Sequence, residues 1–348
     1  MQAGQTHSKN PGLDLPGRVR VSLGSAMVLG LLEGKLEAKP TTVYLMTYRR
    51  GKCVASCGFC PQAKRSRGRA DLLSRVSWPA FPIVQVVNGL QMPVEKGEIR
   101  RVCIQALNYP EVLAHLLALV KAISGSVGIP ISVSYQPPNR ESIRLLAQAG
   151  VERIGIPLDA ATEELFDNVK GEYVGGPYRW EEEFKLLTYA LEVFGSGKVS
   201  THLIVGLGET EKEMAKVIQR CVDMGVLPAL FAFTPIPGTP LEWRSQPSIQ
   251  AYRRIQLVRH IVLNGIGRFE RMRFDEEGRI VDFGVDGRVL QQIIQTDTPF
   301  LTSGCPNCNR PYYNEKPSGP IYNYPRGLTE KERSDIPTLL GLERSSKP

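Results

Sequence analysis

The chain reads as an α/β protein built on a parallel (βα) barrel of at least six units, and three observations predict it. Short runs rich in β-branched and aromatic residues alternate with longer stretches whose apolar residues recur every three or four positions. The short runs are apolar on both faces, as strands covered by helices on either side must be. Finally, 348 residues with a hydrophobic fraction of 42% suffice for a barrel core, which commonly takes ~200 residues or more as one unit.

Residues 1–40 read as an N-terminal extension, polar and broken by proline and glycine, with a short helical candidate at Ala26–Leu32. TTVYLMTY (Thr41–Tyr48) is the first strong strand signal. RVCIQAL (Arg101–Leu107) is the second, followed by a helix over Glu111–Ser124. ISVSY (Ile131–Tyr135) precedes a helix that starts at an Asn139 cap and stops at Gly150. RIGIPLD (Arg153–Asp159) leads to ATEELFDNV, VSTHLIVGLGE (Val199–Glu209) to a helix over Glu211–Met224, and ALFAFTP (Ala229–Pro235) ends in PGTPL. A further helix over Ile249–Leu263 leads to a candidate hairpin around Asp275–Gly278. That hairpin either closes the barrel to eight strands or caps an open one, so the barrel is expected over residues 41–300.

Residues 301–348 differ in character. The stretch TSGCPNCNRPYYNEKPSGPIYNYPRGL from Thr302 is dense in Pro, Gly, Asn and Tyr and shows no helical period, yet Tyr312, Tyr313, Tyr322, Tyr324 and a cysteine pair argue for an ordered tail.

Composition narrows the class. The N-terminus has no apolar core of signal-peptide length, and no apolar stretch approaches the ~20 residues of a membrane span. A cytoplasmic protein with no membrane partner is expected. Seven cysteines, an odd number in uneven groups, do not read as a disulfide framework. The formal charge of +8 makes acidic partners plausible; the basic residues are dispersed without a long run, so nucleic acid is not expected.

The chemistry concentrates in KCVASCGFCPQ (Lys52–Gln62), which follows the first strand. Cys53, Cys57 and Cys60 have the spacing C-x3-C-x2-C, with Phe59 before the last. Three thiolates hold three corners of a cubane [4Fe–4S] cluster and leave one iron without a protein ligand. Structural zinc prefers four protein ligands, and a disulfide needs an oxidising compartment, so both alternatives fit less well. VGLGET (Val205–Thr210) follows a strand and opens a helix; a glycine pair there either lets backbone approach a ligand or makes a simple tight turn. Cys305-Pro-Asn-Cys308 is a generic CxxC pair, and Cys103 on the second strand is a third thiol that can join it. Ser303 and Cys221 are candidates for a fourth ligand, although Cys221 lies on the sheet-facing side of a helix and reads as core. Of the four histidines, His7, His115 and His260 carry no signal, and His202 on the fifth strand is assigned no role.

The cysteine loop resembles the signature of radical S-adenosylmethionine (SAM) enzymes, whose fold is a TIM-type (βα) barrel. The resemblance implies that Cys53, Cys57 and Cys60 bind a [4Fe–4S] cluster, that its open iron chelates SAM, and that Phe59 packs against the adenine. It also implies that Gly206, Gly208 and Glu209 lie near SAM. The runs AQAGVERIGIPLDA, GKVSTHLIVGLGET and PIPGTPLE are similar to strands four to six of biotin synthase. Asp159 then falls where that family contacts substrate or SAM, and Cys103 where it holds an auxiliary cluster. Two further auxiliary cysteines of biotin synthase are missing, with Ser200 at one of the positions.

The tail TSGCPNCNRPYYNEKPSGPIYNYPR, with this barrel, resembles the archaeal two-protein lipoyl synthase. That likeness implies two [4Fe–4S] clusters and SAM, with Cys103, Cys305, Cys308 and Ser303 as candidate ligands of the second cluster, the sulfur donor. It implies sulfur insertion at C6 or C8 of a protein-bound octanoyllysine. The partners implied are a second radical SAM protein, an octanoylated lipoyl carrier protein or peptide, and an electron donor such as ferredoxin. A biotin-synthase-like enzyme acting on a free small molecule is the alternative. On the lipoyl synthase reading, the tail is expected to fold over the barrel mouth as both lid and ligand.

Overall fold

The computed structural model describes residues 16–341. The chain enters through β1 (Arg18–Val21) and α1 (Leu23–Val28), then forms β2 (Thr42–Thr47). After the cysteine loop come a two-strand flap, β3 (Leu72–Leu73) and β4 (Val76–Ser77), then β5 (Ala80–Pro82) and α2 (Ile83–Glu95). From there βα units repeat: β6 (Arg101–Gln105) with α3 (Val112–Ser124), β7 (Ile131–Ser134) with α4 (Arg140–Gln148), and β8 (Arg153–Gly155) with α5 (Glu163–Val169) and α6 (Trp180–Phe194). Next are β9 (Val199–Val205) with α7 (Glu211–Asp223), and β10 (Leu227–Ala232) with α8 (Ile249–Leu263). A hairpin, β11 (Arg273–Phe274) and β12 (Ile280–Asp282), helix α9 (Gly287–Ile294), the tail and α10 (Glu330–Leu339) complete the described chain.

The main sheet has the order β10-β9-β8-β7-β6-β2-β1-β5. The six strands from β10 to β2 are parallel, as expected, and β1 and β5 extend them antiparallel. Closure to eight parallel strands is not found. The hairpin pairs only with itself, and among the described residues no ladder joins β5 to β10.

Why these segments are strands is plain from burial. All six residues of β2 are buried, since helices cover one face and the lumen lies under the other. In β9, Val199, Thr201, Leu203 and Val205 are buried against the helices, whereas Ser200, His202 and Ile204 alternate onto the lumen side. The same period puts Cys103 and Gln105 of β6 into the lumen. Helix starts are fixed chemically: Asn139 caps α4 by accepting from the Ser142 N–H, and Thr210 with Glu213 forms a capping box on α7. Helices α2 and α6 are additions to the sequence reading. The first carries Pro93 and a β-branched run that argues against a helix; the second starts with Glu181, Glu182 and Glu183, a first-turn signal that was available.

The tail is ordered. It runs between β10 on one side and the start of β2 with the β3–β4 flap on the other. Ser303 Oγ accepts from the Leu230 N–H of β10 at 2.7 Å, and Arg310 donates to the Leu230 carbonyl. On the other side, Asn309 bonds Thr41 next to β2, and Arg75 donates to the carbonyls of Tyr312 and Glu315. Arg253 of α8 pins the segment from behind, donating to the carbonyls of Ile321 at 2.5 Å and Tyr322 at 2.6 Å. A segment without periodicity is thus held by side-chain donors to its own carbonyls.

Candidate active site

The cysteine loop is a compact knot between β2 and the loops after β8 and β10. The Cys53 N–H reaches back to the Gln62 carbonyl at 2.9 Å, and Lys52 Nζ clamps the carbonyls of Pro61 and Gly68 at 2.7 and 2.6 Å. The Gly58 N–H donates to the Val169 carbonyl at 2.7 Å, and the Gly58 carbonyl accepts from the Leu241 N–H at 3.2 Å. Gly238 has φ +82°, and a Cβ there would lie 2.4 Å from the Gly68 nitrogen, so this contact admits only glycine. The loop is therefore gripped from two directions.

Within it, Cys53 Sγ accepts from the backbone N–H of Asn108 at 3.2 Å and of Ala55 at 3.5 Å. Burial raises the pKa of Cys57 well above that of an ordinary thiol and pushes Cys60 up to about 12. As free side chains these two are thiols, and a metal is what converts them to thiolates. Among the described residues no three His, Cys, Asp or Glu side chains are gathered tightly enough for one metal ion. Sulfurs that ligate separate irons of a cluster stand further apart than ligands sharing one ion.

Cys53, Cys57, Phe59 and Cys60 line a cavity of about 200 Å³, and Asp159 and Lys170 face it from the far wall. Lys170 was not legible as a site residue. It is 1% exposed, and its Nζ donates to Asp159 Oδ2 at 2.8 Å and to the Pro157 carbonyl, with the ring of Tyr178 5.1 Å away. Burial works against its charge, but Asp159, Glu183 and Cys57 more than offset this and its pKa is raised. Glu183 of α6 is likewise buried, and desolvation pushes its pKa up to about 7.

The same cavity holds Gln62, Asn108, Gln136 and Asn314, each with a buried side-chain oxygen that has no protein partner. Unpaired buried acceptors are costly. They suit a ligand rich in N–H and O–H donors with one carboxylate for Lys170, a description that SAM meets.

Phe59 and Asp159 are thus brought to the cavity. Gly206, Gly208 and Glu209 are not on its wall. The Glu209 carboxylate accepts from the N–H groups of Gly206, Leu207 and Gly208 at 2.6, 3.0 and 3.0 Å, so this glutamate holds its own turn together.

A second cavity of about 550 Å³ adjoins the first and shares Gln105, His202, Phe231 and Tyr313 with it. Its lining includes Cys103, Cys305, Cys308 and Arg310. The tail delivers the CxxC pair to the strand carrying Cys103, whose thiol is pushed up by burial and by its two neighbours Cys305 and Cys308. Ser303 is not in this wall, because its hydroxyl is engaged with Leu230; the serine beside Cys305 is Ser132, at 3.4 Å. Cys221 is fully buried core, as expected. His202 lies on the wall between the cavities, its pKa lowered to about 4 chiefly by burial, so it is neutral at pH 7.

The comparisons with known proteins agree with this geometry. Residues 50–221 match the model of the Radical SAM superfamily. Biotin synthase of Chlamydia pneumoniae is 25% identical over 232 residues, covering 64% of each chain. Biotin synthase of Persephonella marina is 25% identical over 216 residues, covering 61% of this chain and 60% of that one. The chain therefore spans 60–64% of the length of these relatives. Among solved structures, the FeFe-hydrogenase maturase HydG from Carboxydothermus hydrogenoformans aligns with a TM-score of 0.50 at 16% identity, over 69% of this chain and 55% of that one, and shares the fold. No helix among the described residues is long and apolar enough to cross a membrane. The cysteine loop, the cavity beside it and the match over residues 50–221 identify a radical SAM region in this chain, and that superfamily implies a [4Fe–4S] cluster and SAM.

Proposed function

We propose that this chain is one component of a two-protein lipoyl synthase, a radical SAM sulfurtransferase that inserts one sulfur atom at C6 or C8 of a protein-bound octanoyllysine. The observation that carries the reading is one lumen with three cysteines beside each of its two adjoining cavities: Cys53, Cys57 and Cys60 at one, Cys103, Cys305 and Cys308 at the other.

Cys53, Cys57 and Cys60 would hold a [4Fe–4S] cluster, which with SAM would supply the radical chemistry needed at a carbon that no side-chain acid or base activates. The chain's own residues bind and exclude. Phe59 offers an aromatic face, Asn108 and Gln136 offer free acceptors, and Lys170 offers a buried ammonium to a carboxylate. Phe231 and Tyr313 pack at 5.7 Å on the shared wall and keep water from the space between the cavities. A second [4Fe–4S] cluster held by Cys103, Cys305 and Cys308 is the sulfur source in this reading.

The expected partners are a second radical SAM protein for the other carbon, an octanoylated carrier protein or peptide, and an acidic electron donor such as ferredoxin. The charge of +8 favours acidic partners.

The biotin synthase relatives favour a second reading, sulfur insertion into a free small molecule. Against it, β7 and β9 present Ser132 and Ser200 to this region rather than cysteine.

The first test is iron and sulfide content after anaerobic reconstitution, set beside a variant with Cys53, Cys57 and Cys60 all changed to Ala. Retention of a full cubane's worth of iron supports a second cluster; an iron-free variant removes the sulfur-donor reading. Offering the reduced protein SAM with an octanoylated carrier peptide or with a free small acid then separates the two substrates.

A further inference from the structure

Each thiol of the second trio is met by a side-chain donor of its own. Gln105 Nε2 donates to Cys103 Sγ at 3.1 Å. The hydroxyl of Ser132 lies 3.4 Å from Cys305 Sγ, and the phenol of Tyr44 lies 3.3 Å from Cys308 Sγ.

The direction of the last two bonds follows from what stands behind them. Arg101 Nη1 donates to Ser132 Oγ at 2.9 Å, and the backbone N–H of Arg310 donates to Tyr44 Oη at 2.9 Å. A guanidinium and an amide N–H can only donate, so each hydroxyl oxygen accepts from behind and its own hydrogen is free to point at the sulfur. An iron-bound thiolate carries no proton and can only accept. With metal in place all three bonds therefore run from protein to sulfur.

The sheet sets this row. Tyr44 is in register with Cys103, and Cys103 with Ser132, across the neighbouring strands β2, β6 and β7. Gln105 is two residues beyond Cys103 and so on the same face. The tail lays Cys305 and Cys308 onto donors that rigid strands already hold. Asn307 and Arg310, on either side of Cys308, take left-handed backbone with φ of 66° and 30°, which asparagine tolerates and which an arginine adopts where surrounding contacts hold it. The first trio lacks this arrangement: Cys53 is served by backbone N–H groups.

Hydrogen bonds to ligand sulfurs stabilise the more negative, reduced form of an iron–sulfur cluster and raise its reduction potential. We propose that Tyr44, Gln105 and Ser132 are positioning residues that orient Cys308, Cys103 and Cys305 and raise the reduction potential of the cluster they hold. Arg101 acts through Ser132, being 4% exposed and also paired with Glu152 at 2.6 Å. The inference rests on the reading of Cys103, Cys305 and Cys308 as ligands of a second cluster.

The test uses the full chain with Cys53, Cys57 and Cys60 changed to Ala, reconstituted anaerobically, so that the second cluster alone contributes signal. Its midpoint potential is measured by electron paramagnetic resonance during a redox titration, with Tyr44→Phe, Gln105→Leu and Ser132→Ala introduced singly and together. Each variant is expected to keep the parent's iron and sulfide and to shift the midpoint downwards, furthest in the combined variant, with Ser132→Thr restoring the parent value. Unchanged midpoints at full iron content overturn the proposal. So does loss of iron in Ser132→Ala that Ser132→Thr restores, which would assign the hydroxyl to cluster retention. A parent that binds no iron at all refutes the underlying second-cluster reading instead.

Discussion

Lys170 Nζ meets Asp159 Oδ2 at 2.8 Å, with side-chain exposures of 2% and 11%. Asp159 is itself held in left-handed backbone, φ 68°, by a bridge to Leu203, and its N–H and carbonyl bond to His202 and Ile204. The pair is therefore fixed on both sides. Removing one partner leaves a buried charge uncompensated, a change of ~3–5 kcal/mol. Lys170→Met should lower unfolding stability by about that amount in urea titration at pH 7, and Lys170→Arg by less if the larger head still reaches Asp159. A loss under ~1 kcal/mol for Lys170→Met would show that the pair is not desolvated.

Glu183 gives the same region a pH dependence of opposite kind. Desolvation, its largest influence, raises its folded pKa from 4.5 to about 7, with Lys170 pulling the other way. A raised carboxyl pKa means that folding takes up a proton. Its contribution is most favourable below about pH 4.5 and is lost as the pH rises through about 7. Glu183→Gln should thus be near neutral at pH 4.5 and stabilising at pH 8, by ~3 kcal/mol at most. Thermal unfolding at the two pH values checks this; equal shifts at both would contradict it.

Arg253 anchors the tail that carries Cys305 and Cys308. It is fully buried, and besides its bonds to Ile321 and Tyr322 its guanidinium lies 4.9 Å from the ring of Tyr324. Arg253→Met strips the Ile321 carbonyl of its donor, leaves the Tyr322 carbonyl to Gln256 alone, and should cost ~2–4 kcal/mol. On the proposed second-cluster reading the expected signature is selective: the variant retains iron at the Cys53, Cys57 and Cys60 site and loses it from the Cys103, Cys305 and Cys308 site. Iron analysis in the background lacking the first trio reads this directly, and undiminished iron there would show that α8 does not hold the tail in place.

Much of this architecture is legible in the chain. Thr42–Thr47 and Val199–Val205 are apolar, β-branched runs, and runs of that kind declare a covered strand. What escapes is structure with no local signal. RVRV at Arg18–Val21 and Ala80–Pro82 are too short to announce strands, and only their pairing with β2 and with each other makes them so. Lys170 sits in a helix-end sequence that reads as surface, and its meaning depends on Asp159 arriving from another unit. Glu209 shows the converse: a glycine-flanked acid that reads as a ligand group turns its carboxylate onto its own turn. Ser303 and Ser132 differ only in which neighbour the fold gives each hydroxyl, Leu230 or Cys305.

The outer face of the cysteine loop offers the last prediction. Arg50, Lys64, Arg65 and Arg67 are exposed, and among the described residues none forms an ion pair. Arg65 lies against Gly175, two residues along the chain from Tyr173, which is 72% exposed, and the Arg67 N–H bonds the Gly238 carbonyl, five residues from Trp243, which is 89% exposed. Basic side chains around exposed aromatics suit an acidic protein. The rim belongs to the same loop as Cys53, Cys57 and Cys60, so a protein seated there approaches a cluster at those cysteines closely. Changing Lys64, Arg65 and Arg67 together to Glu should slow SAM cleavage driven by reduced ferredoxin by roughly tenfold or more at low salt, because steering by opposite charge is lost. High ionic strength should reproduce the effect in the unmodified chain. Cleavage driven by dithionite, which needs no docked protein, should be unchanged; equal slowing with both reductants would mean that the substitutions disturb the loop itself.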